Sequence, residues 1–208
     1  MIANYEELND TQIDILKELG NIGAGNAATS LSIMLNMDVN IYLPDVKITD
    51  FDTAVNSLGG AETMTVGVLL NYTGEANGMI MFLLSLEDAK NISRIVLYEE
   101  EEDNEDGLCE MKLSVIKEIG NILGCSFINS MALLTGLKID ISIPYIAIDM
   151  AGALLSVPVI QFGAVGDKVL FLEEGFSTHQ GDLNTRVILF AEVDTLRTIM
   201  SRLGLEDE

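Results

Sequence analysis

Histidine occurs once in the 208 residues, cysteine twice and proline three times, and 11 Lys and Arg face 33 Asp and Glu. Each scarcity removes a class of function. His179 alone cannot build a multi-histidine zinc site or a two-histidine iron site, and it leaves a serine triad one candidate base. On the loop before Gly181 it reads as an exposed turn residue. A net charge of −22 repels phosphate backbones and anionic headgroups, which argues against nucleic-acid binding and peripheral membrane attachment. No basic region precedes an apolar stretch near Met1, so no signal peptide is expected. On one continuous helix Cys109 and Cys125 lie roughly 24 Å apart, beyond disulfide reach. The expected compartment is reducing cytosol.

What is present is a chain with 49% apolar and 21% charged residues and a mean hydropathy of +0.33, the composition of a folded domain with a substantial core. Acids crowd into 99–106 (EEEEDNED), which reads as a solvated connector. Residues 146–166 are long and apolar enough to raise a membrane span, but Asp149, Pro158, Gln161 and several Gly interrupt them. A buried helix–turn–strand segment is the expectation there.

Sliding the chain against itself by 100 residues aligns 13–50 with 113–150 without a gap. The identities include Lys17/Lys117, Glu18/Glu118, Gly20/Gly120, Asn21/Asn121, Ile22/Ile122 and Pro44/Pro144. Two copies are too few for a solenoid, so a pseudo-symmetric pair sharing one core is expected. Each unit reads as a long helix, a strand, a hairpin and a short helix. Asn9 is the candidate N-cap of the first helix with Gln12 at N3. Each strand, 39–48 and 139–148, carries a Pro that suits an edge or a bulge. Hairpins are expected around 74–77 and 181–184, and closing helices near 86–97 and 193–203. This is one α+β domain of two repeats, 1–98 and 107–208, joined by the acidic connector. The repeats share a largely antiparallel sheet with the two long helices on one face.

The polar residues common to both copies carry the functional reading. Asp14, Glu18 and Asn21 stand at i, i+4 and i+7, within roughly 60° of arc on one helix face, and Ser114, Glu118 and Asn121 repeat the stripe. Apolar neighbours occupy the opposite side of each helix, so both stripes should face solvent. A single stripe is an ordinary wet helix face. A mid-helix Asn is disfavoured by a few tenths of a kcal/mol against Ala, and its recurrence at one distance from Pro44 and Pro144 points to function.

The pattern Asp/Ser-x3-Glu-x2-Asn-x22-Pro, at Asp14-Glu18-Asn21-Pro44 and again at Ser114-Glu118-Asn121-Pro144, resembles the signature of the CheC/CheX/FliY family of chemotaxis phosphatases. The resemblance implies hydrolysis of the acyl phosphate on the aspartate of the response regulator CheY. It also implies a water-orienting role for Asn21 and Asn121, a docking role for Glu18 and Glu118, and flanking places for Asp14 and Ser114. No cofactor of the protein's own is implied; Mg²⁺ is expected in the bound regulator. Binding of a second protein, CheD, is implied too, with Asp149 between Ile148 and Met150 as the candidate contact or, equally, a turn-capping residue. The competing reading is a non-catalytic adaptor or flagellar-switch module that binds CheY or CheD with the same surfaces.

Gly23-Ala24-Gly25-Asn26-Ala27-Ala28 matches a dinucleotide fingerprint, G-x-G-x-x-A, but the residues before it have helical rather than strand periodicity. Close approach of two helices accounts for these small residues better. Cys125 reads as a buried small hydrophobe and the ten Met mostly as core filler.

Overall fold

The computed structural model describes residues 5–97, 108–162, 168–178 and 181–205. The acidic connector and His179 lie outside them. A short 3-10 turn at Tyr5–Glu7 leads into α1 (Asp10–Leu35), β1 (Val39–Asp50), α2 (Phe51–Ser57), β2 (Met64–Gly74), β3 (Gly78–Ser85) and α3 (Leu86–Leu97). The second half runs α4 (Glu110–Thr135), β4 (Ile139–Ile141), β5 (Tyr145–Met150), α5 (Ala151–Phe162), β6 (Lys168–Thr178), β7 (Gly181–Ala191) and α6 (Val193–Arg202).

The strands form one antiparallel sheet in the order β1-β6-β7-β3-β2, with β4 and β5 both paired to the outer side of β2. Alternation along each strand sends one set of side chains to each face. Val66, Val68, Leu70, Ile80, Phe82, Val187 and Leu189 pack with α1, α3, α4 and α6. Met79, Met81, Leu83, Ile188 and Phe190 turn the other way, under Ala54 and Val55 of α2 and Leu154 and Leu155 of α5. The two long helices therefore share a face, as the pattern predicts. The cover that α2 and α5 give the opposite face is a structural finding that the helix-strand-hairpin-helix reading did not contain.

Both prolines sit where a ladder tolerates them. β1 is an edge strand whose register shifts between Tyr42 and Asp45, around Pro44. Pro144 falls in the break between β4 and β5, so the expected single strand 139–148 is two short ones. The first hairpin turns at 75–77 as expected. The second turns earlier than expected: Thr178 pairs with Gly181 and Gly175 with Asn184, so 181–184 belong to the strand and not to the turn. Segment 146–166 also departs in order, since a strand precedes the helix. That helix, α5, is 12 residues long and leaves Val157, Val159 and Ile160 exposed. Among the described residues no helix is long and apolar enough to cross a membrane.

Glycines set the distance between layers. A Cβ on Gly23 would stand 2.9 Å from the Phe127 Cα, so α1 and α4 touch through backbone. Gly120 and Gly124 seat α4 on the sheet, where a Cβ would come 2.6 Å from Val68 and 2.8 Å from Leu70. The G-x-G-x-x-A run thus lies inside α1 against a neighbouring helix, away from any strand-to-helix turn that could cradle a phosphate.

Candidate functional site

Two 26-residue helices present the candidate residues, and the local sequence fixes where each begins and ends. At the start of α1 the Asn9 side chain accepts the Gln12 N–H and the Gln12 side chain accepts the Asn9 N–H, each at 3.0 Å, closing the expected capping box. Cys109 takes the same position before α4 without a side-chain cap bond. At the far ends Asn36 and Gly136 adopt the left-handed conformation, with φ of 50° and 70°, and release the chain into β1 and β4. Equal helix lengths and left-handed C-caps at matching positions put each proline the same distance beyond its helix.

Residues 11–20 and 111–120 have the same order of buried, half-buried and exposed positions. Leu16 and Leu19 of α1, and Ile116 and Ile119 of α4, are buried in the shared core. Asp14, Glu18 and Asn21 are exposed on the other side of α1, and Ser114 and Glu118 are exposed on α4. The stripes face solvent as predicted except at Asn121, which is half-buried. Neither Glu18 nor Glu118 has an ion-pair partner among the described residues. Both carboxylates are therefore open to a cation on a docked molecule.

The two asparagines differ. Asn21 is exposed, whereas Asn121 is half-buried and its Oδ1 accepts the Cys125 thiol at 3.5 Å. Burial, and secondarily the Glu118 carboxylate, push the Cys125 thiol above its ordinary range, favouring its protonated form. Cys125 reads from the sequence as a buried small hydrophobe; it is half-buried, and its thiol reaches a candidate site residue. Only its i+4 spacing from Asn121 could have signalled this. The two cysteines form no disulfide with each other: Cys109 is the N-cap residue of α4 and Cys125 lies within that helix. Another link crosses between the halves, from the Asn26 side-chain amide to the Ser130 hydroxyl at 3.1 Å.

Asp149 lies on β5 and is exposed, beside half-buried Ile148 and exposed Met150. Its Oδ1 accepts the Met150 N–H at 2.7 Å, at the junction of β5 and α5. It is thus on the sheet edge, on an element separate from the helix stripes.

Chemically, each stripe offers a carboxylate one turn from a neutral carboxamide. The first can hold a cation and the second can hold water without repelling an anion. Asp14 or Ser114 flanks them.

The CheC-like family model matches residues 12–48 and 111–147, each match spanning the glutamate, asparagine and proline of one half. In sequence the chain is 29% identical over 203 residues to the CheY-P phosphatase CheC of Bacillus subtilis, covering 96% of this chain and 97% of that one. Its fold is similar to that of Thermotoga maritima FliY, with a TM-score of 0.74 and 24% identity over 95% of this chain and 98% of the other. A chain of the CheX–CheY–BeF3–Mg²⁺ complex from Borrelia burgdorferi superposes with a TM-score of 0.54 and 20% identity, covering 82% of this chain and 96% of that one.

Proposed function

We propose that the chain, both of whose motif segments match the CheC-like family model, is a phosphatase that removes the aspartyl phosphate of a CheY-type response regulator. The observation that carries the proposal is the Glu/Asn stripe repeated on both long helices, with Glu18, Asn21 and Glu118 exposed and Asn121 half-buried.

Phosphoryl transfer asks for positioning and charge stabilisation more than for a protein nucleophile. A phosphorylated receiver brings the scissile bond and its own Mg²⁺. Docking on a stripe sets Glu18 or Glu118 against a basic side chain of the regulator. Asn21 or Asn121 then holds a water in line with the phosphorus. That water's oxygen bonds to phosphorus as the bond to the aspartate oxygen breaks, leaving a free carboxylate and inorganic phosphate. A carboxamide suits the task because it carries no charge toward the phosphoryl oxygens. Asp14 and Ser114 border the docking surface without touching the reacting atoms. The sheet-edge segment around Asp149 is assigned to CheD, as a carboxylate between apolar neighbours. Asp149→Lys should then weaken CheD binding with an unchanged circular dichroism spectrum, and undiminished binding removes the assignment.

The direct test incubates the protein with a response regulator charged by acetyl phosphate in Mg²⁺ and follows loss of phosphoaspartate. Accelerated loss is expected. Binding of the phosphorylated regulator with no acceleration would instead make the chain an adaptor.

A further inference from the structure

The two stripes agree in every residue that the proposed mechanism uses but differ four residues on, where α1 has Gly25 and α4 has Cys125. A Cβ added at Gly25 would meet nothing within 4 Å, so the space beside Asn21 is open and holds no side-chain donor from that position. In α4 the same space is filled by a thiol, 3.5 Å from Asn121 Oδ1. The contact is directional. The amide oxygen is the stronger acceptor of the pair, and sulfur accepts an N–H only weakly, so the contact favours the orientation in which the oxygen faces the thiol. A carboxamide oxygen has two lone pairs; the thiol occupies one and leaves the other for a water proton. Burial, and secondarily Glu118, push the thiol's pKa upward, which favours its protonated, donating form.

We propose that Cys125 is a positioning residue for Asn121, and that it makes the second stripe the pre-organised site of the two. The inference rests on the reading that each asparagine orients the attacking water. A fixed amide loses less freedom on reaching the reactive geometry, so the gain belongs in kcat and leaves KM alone. In α1 the unrestrained Asn21 serves the same chemistry more slowly.

Steady-state kinetics with phosphorylated regulator test this in an Asn21→Ala background, where only the second site works. Adding Cys125→Ala, which keeps the helix and removes the donor, should lower kcat about fivefold at constant KM, the size expected for one neutral hydrogen bond. Cys125→Ser, which restores a donor, should recover most of that loss. In an Asn121→Ala background, Gly25→Cys should raise kcat by a similar factor. A silent Cys125→Ala, or a Ser variant no better than Ala, overturns the proposal. An independent readout needs no activity: the Asn121 side-chain NH2 should show less fast motion by NMR than that of Asn21, and Cys125→Ala should abolish the difference. Equal mobility in the wild type overturns the proposal as well. Failure of the underlying mechanism has a separate signature, full turnover in the Asn21→Ala/Asn121→Ala double variant.

Discussion

At the scale of single residues, the proposed mechanism divides labour between a carboxylate that docks and a carboxamide that orients the attacking water. Glu18→Ala and Glu118→Ala together should raise KM about tenfold with a smaller effect on kcat, because a charge pair to the regulator contributes mainly to binding. Raising the salt concentration should weaken regulator binding to the wild type more than to this double variant, since screening acts on the pair that the variant has already lost. Equal salt slopes would remove the docking role. The stripes were legible because each side chain stands on an exposed helix face at helical spacing, and the same face occurs twice. The Cys125–Asn121 contact was not, because a lone cysteine in an apolar run has the sequence signature of a packed residue. Which side of the helix it occupies relative to the partner helix is decided by tertiary packing, through the close approach of Gly23 to Phe127.

At the scale of elements, glycine substitution on one helix type should change sign with its surroundings. Gly120→Ala pushes a methyl into Val68 at 2.6 Å and should destabilise by about 1–3 kcal/mol, read as a lower urea midpoint. Gly25→Ala enters open space and should stabilise by about 0.5–1 kcal/mol, the ordinary helical preference for Ala. The end of β7 supplies a pH prediction. The Tyr5 hydroxyl donates to the Ala191 carbonyl at 2.9 Å and accepts the Ala191 N–H at 2.8 Å, and burial raises its pKa from 10.0 to about 12. Below pH 10 the phenol is neutral whether folded or unfolded, and its contribution is intact. Between pH 10 and about 12 only the unfolded chain ionises freely, so stability should fall by about 2–3 kcal/mol from this group. Tyr5→Phe should lose less over that window in urea titrations. Buried Tyr72, raised in the same direction chiefly by burial, adds to the fall in both proteins. The start of α1, the first hairpin and the edge place of Pro44 could be read from cap residues, turn residues and alternation. α2 could not: it is only seven residues long, too short for a period to stand out, and its place is fixed by the sheet face it covers. The second hairpin's register escaped because Gly181-Asp182-Leu183-Asn184 has turn-forming residues, yet pairing between β6 and β7 carries the strand through them.

At the scale of the whole molecule, one sheet carries two long helices with a stripe on each, and the proposed function gives each stripe a regulator to dock. Duplication at an offset of 100 residues made this visible before any coordinates, since paired identities at Glu, Asn and Pro recur at one spacing. The cover that α2 and α5 provide over the second face could not be read the same way, because nothing in the aligned 13–50 and 113–150 segments contains them. Two working sites predict additivity: Asn21→Ala or Asn121→Ala alone should leave the rate of the surviving site, with the Asn121 variant the more impaired. The most direct test of the account is turnover of phosphorylated regulator by the folded Asn21→Ala/Asn121→Ala double variant. Loss of one water-positioning amide per site should cost on the order of 10²-fold, bringing the rate down toward the regulator's own autodephosphorylation while binding persists. Wild-type turnover in that double variant would contradict the account.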